Sequence, residues 1–191
     1  FTTTGATSEM KRNHTFELDG GAMAYSAVIG PDGDVYVANF ASGTISIVDI
    51  EDATSGANAN TVASAPARVF NSPDAPTPSG MAFDSRGDLW VIDTRNPDPN
   101  NSGPNRIVRF ANPSTIADGA SVPAATIIDL AVKPVDHAVS RLVYSLYIDD
   151  SDRLWYVDYM SWSVGRLDDL ANRGAHETEV IPDMHMITWD P

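Results

Sequence analysis

The sequence predicts an all-β protein built from repeated four-stranded antiparallel units. Residues 80–93 form two short apolar runs joined by a Ser-Arg-Gly-Asp turn, whose glycine permits a positive φ. The same hairpin pattern recurs at residues 27–39 and 146–158. In addition, 13 glycines and 13 prolines are spread along the chain, which suits many short strands and turns better than long helices.

The three hairpins align residue by residue, which identifies a repeat. Their turns share one position, occupied by Gly33, Gly87 and Asp152. The second strand of each hairpin carries an aromatic residue at another shared position: Tyr36, Trp90 and Trp155. We expect these aromatic side chains to fill the core between neighbouring units, because large rings contribute most of the buried apolar area.

Each repeat extends beyond its hairpin by two further strands. A third apolar run follows the hairpin at residues 44–49, 106–110 and 164–167, and a short fourth strand follows at 68–70, 126–129 and 179–181. We call the four strands a, b, c and d in chain order. The complete repeats are then predicted at residues 24–70, 78–129 and 143–181.

The ends of the chain depart from this repeat. Residues 1–12 are Thr-rich and poor in apolar side chains, so we expect a flexible terminus ahead of the repeat region 13–191. Residues 14–18 form a short alternating strand that matches strand d, and residues 184–191 match the start of a further strand a. The array therefore begins and ends inside a repeat.

Four-stranded antiparallel units repeated around an axis are the architecture of a β-propeller, in which 4–8 blades close a ring. Three blades do not close one. We therefore expect either further blades beyond Pro191 or a second copy of the chain to complete the ring.

Charge and composition exclude several classes of function. The chain has 26 acidic and 12 basic residues, a net charge of −14, which disfavours binding to nucleic acid or to anionic membranes. The absence of cysteine excludes thiol catalysis, disulfides and thiolate zinc sites. No stretch approaches the ~18 consecutive apolar residues of a membrane helix.

The run GMAFDSRGDLWVID at residues 80–93 resembles NHL-type repeats and the gluconolactonase-like (senescence-marker-type) propellers. The resemblance implies the propeller fold and two classes of function. The first is a non-catalytic extracellular or cell-surface propeller that binds a protein or carbohydrate partner, or forms part of a surface assembly. The alternative is a divalent-metal-dependent hydrolase of the lactonase type, with Ca²⁺ as the fitting cofactor.

Chain direction predicts a candidate site at the mouth of the central channel. Residues just before strand a should surround the mouth, and the ends of strand b should lie nearby. The first group contains Tyr25, Ser79, Tyr144 and His185, and the second contains Asn39, Asp93 and Asp158. Carboxylate and amide oxygens suit Ca²⁺ or Mg²⁺. The candidate metal ligands are Asp93, Asp158 and, by its position at the mouth, His185.

A structural role is the competing interpretation of the strand-b acids, because Asp and Asn after a strand commonly bond the backbone nearby. The resemblance also disfavours catalysis, since the related enzymes carry a metal-binding Asp directly before the Gly-Met of one strand a. Here Ser79 precedes Gly80-Met81.

Two further features are candidates for recognition on the same face. Trp162 lies in a b-to-c loop, where it would stack on a sugar ring together with Tyr156 and Tyr159. Residues 94–105 form a Pro- and Asn-rich loop found only in the second repeat. Such a loop is either a recognition element or a passive insertion.

Overall fold

The computed structural model describes residues 15–17, 23–49, 62–64, 67–94, 105–130, 143–158, 163–168, 170 and 177–181 of the 191-residue chain. These residues form three four-stranded antiparallel sheets and one two-stranded sheet. A short 3₁₀ helix, Pro113–Thr115, also lies among them. The all-β prediction and the prediction of three complete blades are therefore confirmed.

The strands of each blade follow one another from the inner to the outer edge of its sheet. The first blade contains β2 (Ala24–Ile29), β3 (Val35–Asn39), β4 (Thr44–Val48) and β6 (Ala67–Asn71). The second contains β7 (Pro78–Phe83), β8 (Leu89–Asp93), β9 (Arg106–Phe110) and β10 (Thr126–Asp129). The third contains β11 (Val143–Ile148), β12 (Leu154–Asp158), β13 (Ser163–Leu167) and β14 (Glu177–Ile181).

The turns between the first two strands confirm the alignment of the repeats. Gly33, Gly87 and Asp152 all have positive φ, at 90°, 82° and 54°. Glycine adopts this region at no steric cost, and aspartate is one of the few other residues that tolerate it. The three sequence-aligned positions are thus the same structural position.

A hydrogen bond from the strand-b aromatic braces the turn in two blades. Trp90 Nε1 donates to Asp84 Oδ2 at 3.0 Å, and Trp155 Nε1 donates to Asp149 Oδ2 at 2.9 Å. In the first blade the position of Asp84 is held by Gly30, where a Cβ would lie 2.6 Å from the ring of Tyr36. The glycine makes room for the tyrosine ring, and Tyr36 instead donates its hydroxyl to Asp32 at 2.8 Å.

Blades pack face to face around their inner strands. The inner strand β7 contacts both β2 and β11, so the three strands a lie together at the centre. One buried apolar cluster lies between the first and second blades and includes Tyr36, Leu89 and Val91. A second lies between the second and third blades and includes Trp90, Ile92 and Leu154.

The strand-b aromatics face the following blade, and this explains their different burial. Tyr36 and Trp90 are 0% exposed because the second and third blades cover them. Trp155 was expected to be core as well, but it is only half-buried. No blade among the described residues packs on the side of the third blade that carries Trp155. The prediction that Trp155 is a fully buried core residue was therefore wrong.

The short strand predicted at residues 14–18 is present as β1 (Thr15–Glu17) but does not serve as a strand d. It pairs in parallel with β5 (Val62–Ser64), in the segment that connects β4 to β6. A strand d must pair with the free edge of a strand c, and the outer edge of β4 is already occupied by β6. Residues 1–12 and 184–191 lie outside the described part of the chain.

No helix in the described ranges is both long and apolar enough to cross a membrane.

Candidate functional site

Three aromatic side chains meet at the end of the inner strands, and we call them the aromatic mouth: Tyr25, Phe40 and Tyr144. The rings of Tyr25 and Tyr144 stack with centroids 5.5 Å apart and planes inclined by 26°. Tyr25 also contacts Phe40, at 5.7 Å between centroids. Tyr25 is 44% exposed, so the cluster is open to solvent on one side.

Irregular strand pairing places the two tyrosines there. The pairing of β2 with β3 skips Tyr25, because Ala24 pairs with Asn39 and Ser26 with Ala38. The pairing of β11 with β12 skips Tyr144 in the same way. A bulge re-aims the side chain of the extra residue out of the regular alternation. Consequently, side chains from the first and third blades meet across the inner strand of the second.

Phe40 joins the cluster because it directly follows β3. Its backbone N–H donates to the carbonyl of Met23 at 2.9 Å, which fixes the start of β2 beside the end of β3. Met23 is itself 54% exposed. The sequence analysis named Tyr25 and Tyr144 as candidates for one site. It did not name Phe40, although an aromatic residue directly after strand b is visible in the sequence.

Burial against its neighbours, and secondarily the adjacent Tyr144, raises the pKa of the Tyr25 phenol above its ordinary value. The phenol is therefore neutral throughout the physiological range. It presents a hydrogen-bonding hydroxyl at the edge of a flat apolar surface.

Ser79 holds the corresponding position in the second blade, but its side chain is fully buried. Its Oγ lies 2.5 Å from Thr94 Oγ1, and Thr94 Oγ1 donates to the carbonyl of Val143 at 2.5 Å. Because the single hydroxyl proton of Thr94 is used on Val143, Ser79 donates to Thr94. Ser26 Oγ in turn donates to the Ser79 carbonyl. This chain of hydroxyls links the inner strands of all three blades.

The polar residues that end strand b are also fully buried: Asn39, Asp93 and Asp158. Asp93 Oδ1 accepts hydrogen bonds from Thr77 N at 2.9 Å and Thr77 Oγ1 at 2.8 Å. Asn39 Nδ2 donates to Thr44 Oγ1 at 3.1 Å and Ser46 Oγ at 2.8 Å. Asp93 thus positions the segment entering β7, and Asn39 ties β3 to β4.

The candidate metal ligands do not form a cluster in the described residues. Among these, no three His, Cys, Asp or Glu side chains converge as a metal site. His185 and Trp162 lie outside the described residues, as do positions 95–104 of the loop predicted for recognition. The structure therefore brings together Tyr25, Tyr144 and Phe40.

No protein-family profile and no curated protein sequence matches the chain. Solved structures do match. Virginiamycin B lyase from Staphylococcus aureus has a TM-score of 0.56 and 15% identity over 88% of this chain and 44% of its own. The periplasmic gluconolactonase PpgL from Pseudomonas aeruginosa has a TM-score of 0.58 and 15% identity. The match covers 83% of this chain and 40% of PpgL.

The extracellular domain of BT4673 from B. thetaiotaomicron has a TM-score of 0.52 and 10% identity over 85% of this chain and 20% of its own. The chain thus spans less than half the length of each of these structures. All three are β-propellers, and at such low identity the likeness establishes the fold alone. The chain has the fold of consecutive blades of a β-propeller.

Proposed function

We propose that the chain is part of a non-catalytic, extracytoplasmic binding propeller that recognises its ligand at the aromatic mouth. The observation that carries the proposal is the stack of Tyr25 on Tyr144, which come from two blades that are not adjacent. Rings brought together from separate parts of a fold and left open to solvent form a flat, rigid contact surface. Such a surface costs little conformational entropy when it binds a partner.

The chemistry of the mouth favours a ligand with a flat ring. An aromatic face attracts the C–H face of a sugar ring or the edge of another aromatic side chain, and a tyrosine hydroxyl adds one hydrogen bond. The buried carboxylate of Asp93 is already bonded to Thr77 on its Oδ1. Binding rather than bond cleavage therefore suits the groups that the mouth presents. The extracellular and periplasmic origin of two structural neighbours supports an extracytoplasmic location.

Titration with a panel of soluble oligosaccharides and aromatic peptides tests this proposal. Resonances of ¹³C-labelled tyrosine rings report contact directly. We expect ligand-induced shifts for Tyr25 and Tyr144, and at least a tenfold loss of affinity in Tyr25→Ala and in Tyr144→Ala. Tyr147→Ala is the matched control, because Tyr147 is 63% exposed near the other end of the same strand, β11, where it pairs with Trp155. Equal weakening by all three variants would remove the mouth as the binding site.

The alternative function is a divalent-metal-dependent hydrolase. It is favoured by one observation, the presence of a buried carboxylate at the same place in two adjacent blades, Asp93 at the end of β8 and Asp158 at the end of β12. A metal held there would be expected to raise the melting temperature, because a ligand that binds only the folded state stabilises it by mass action. A rise with millimolar Ca²⁺ that disappears in Asp93→Asn would support the hydrolase, and an unchanged melting temperature would count against it.

A further inference from the structure

The two ends of the hydroxyl chain lie next to the two tyrosines of the aromatic mouth. The chain begins at the hydroxyl of Ser26, which directly follows Tyr25 in β2. It ends at the carbonyl of Val143, which directly precedes Tyr144 in β11. The strands that carry the two rings are therefore connected by hydrogen bonds immediately beside the rings.

The strand bulges explain why these two points matter. Each tyrosine lies where the regular pairing of strand a with strand b is interrupted. Ser26 and Val143 are the paired residues directly beside the bulges, since Ser26 pairs with Ala38 and Val143 with Asp158. A bulged residue is left unpaired, and the ladder around it is locally disrupted. A hydrogen bond from outside the sheet can therefore fix where each tyrosine lies.

The middle of the chain belongs to the second blade. Ser79 holds the position of the two tyrosines and also lies in an irregular stretch, between the paired residues Pro78 and Met81. Its carbonyl accepts the hydrogen bond from Ser26, and its hydroxyl donates to Thr94. The second blade is thus bonded to its neighbour on each side.

Thr94 is held firmly by its own backbone. Its N–H donates to the Thr77 carbonyl at 3.0 Å, and its carbonyl accepts the Thr77 hydroxyl at 2.8 Å. Asp93 Oδ1 accepts two hydrogen bonds from Thr77 in turn. Thr94 is 1% exposed and Ser79 is 0% exposed, so water does not compete for their hydroxyls. Buried polar networks with satisfied hydrogen bonds rigidify the structure around them.

A role beyond holding the blades together follows from the chemistry of the chain. Burying a hydroxyl costs free energy that an apolar side chain of similar size avoids. Directed hydrogen bonds, in contrast, specify one relative position of the groups that they join. We propose that Ser26, Ser79 and Thr94 are positioning residues of the aromatic mouth, which hold β2 and β11 where Tyr25 stacks on Tyr144. The inference rests on the proposed function only where it concerns ligand affinity.

Cross-relaxation between the rings of Tyr25 and Tyr144 tests the proposal in the 191-residue chain without any ligand. Thr94→Val removes the donor to Val143 but keeps the shape of the side chain, and it should at least halve this cross-relaxation. A looser stack should also lower the pKa of Tyr25 toward its ordinary value, because burial and then Tyr144 raise that pKa in the wild-type protein. Thr94→Ser retains the hydroxyl and should preserve both wild-type values.

Ser79→Ala breaks the chain at a second link, and Ser72→Ala is its matched control. Ser72 is 6% exposed, and its hydroxyl accepts the N–H of Asp74 at 3.2 Å, outside the chain. Ser79→Ala should weaken the ring contact as Thr94→Val does, whereas Ser72→Ala should leave it unchanged. Circular dichroism verifies folding. If a variant at either buried position does not fold, Ser26→Ala breaks the first link at a half-buried position and gives the same readout.

Three results would overturn the proposal. The first is an unchanged ring contact in folded Thr94→Val and Ser79→Ala. The second is an equal loss of ring contact in Ser72→Ala, which would indicate a general loosening of the fold. The third is an effect confined to one of the two chain variants, because a single bond rather than the chain would then hold the stack.

Titration with cellotetraose, a probe built of flat sugar rings, measures the consequence for binding. Thr94→Val should weaken binding about two- to tenfold, which corresponds to one lost hydrogen bond, and Thr94→Ser should restore it. A wild-type protein that does not bind cellotetraose counts against sugars in the proposed function, and the ring contact still decides the positioning role. Wild-type affinity in Thr94→Val overturns the positioning role and leaves the proposed function intact.

Discussion

Trp90 and Trp155 stand at the same position of consecutive blades and make the same indole hydrogen bond to an aspartate, yet only Trp90 is enclosed. Trp90 is sealed by the third blade, whereas Trp155 faces outward beside two arginines. The blade sequence determines the local brace, and the neighbouring blade determines the burial. The energetic role of one repeat position therefore depends on where its blade lies in the array.

This difference predicts unequal costs for truncating the two rings. Trp90→Ala should lower the free energy of unfolding by about 3–5 kcal/mol, since it removes a fully buried ring and leaves a cavity. Trp155→Ala should cost about 1–2 kcal/mol, because part of its apolar area already contacts water. Equilibrium denaturation of both variants measures the gap. Equal costs would show that Trp155 is covered in solution and contradict this prediction.

A buried ion pair predicts a second contrast, between two arginines of the same strand. Arg109 forms an ion pair with Asp88 and donates to Thr126 Oγ1 at 3.1 Å, and both charged side chains are almost wholly buried. Arg109→Ala should cost about 3–5 kcal/mol, because Asp88 would be left as an uncompensated buried charge. Arg106 pairs at 2.7 Å with the exposed Asp129, so Arg106→Ala should cost at most about 1 kcal/mol. Urea unfolding of both variants compares them, and a larger loss for Arg106→Ala would contradict this assignment.

The repeat, the blade count and the turn positions could be predicted from the sequence, because period-2 alternation and turn chemistry are local properties. The glycines at 33 and 87 and Asp152 have the backbone conformation that their alignment requires. The bulges at Tyr25 and Tyr144 were missed. A bulge adds one residue relative to the partner strand, and the residue pattern of a single strand does not reveal that difference.

The hydroxyl chain and the β1–β5 pair could not be predicted for a different reason. Ser26, Ser79 and Thr94 are small polar residues whose partners lie in other blades, so no local pattern reveals the contact. The parallel pairing of β1 with β5 joins two short segments that lie far apart in the sequence, so no local pattern reveals it either. The Asp-to-Trp brace was accessible, because an aspartate six residues before the tryptophan recurs in the second and third repeats.

The Asp149 carboxylate predicts a defined acid sensitivity. Hydrogen bonds from the Trp155 indole, then from the backbone of Arg153 and Ser151 and the Arg153 side chain, hold the pKa of Asp149 well below its ordinary value, outweighing its partial burial. A carboxyl with a depressed folded-state pKa adds stability that is fully present above its unfolded-state pKa of about 4 and is lost as the pH falls further.

Asp149→Asn should therefore lower stability at pH 7 and flatten the decline of stability below about pH 4. Thermal unfolding measured from pH 7 to pH 2 supplies both quantities. Asp150→Asn is the matched control, because Asp150 is exposed in the same turn. Should Asp149→Asn keep the full wild-type slope below pH 4, another carboxylate would account for the acid sensitivity.

The close approach of β11 to Gly80 predicts the effect of adding one methyl group there. A Cβ there would lie 2.6 Å from the carbonyl oxygen of Tyr144 and 3.2 Å from the Leu146 nitrogen. Because these neighbours are backbone atoms, they cannot rotate away, and β7 and β11 must separate. Overpacking of this kind costs about 1–3 kcal/mol.

Gly80→Ala should lower the free energy of unfolding by that amount and also displace Tyr144, whose ring completes the aromatic mouth. Chemical denaturation measures the first effect, and the loss of ring-to-ring cross-relaxation between Tyr25 and Tyr144 measures the second. Ser145→Ala is the matched control, since Ser145 holds the same repeat position in the third blade and is exposed there. It should change stability by less than about 0.5 kcal/mol. If Gly80→Ala is as neutral as the control, the backbones of β7 and β11 are not in contact at Gly80. That result would also contradict the position of Tyr144 against Tyr25.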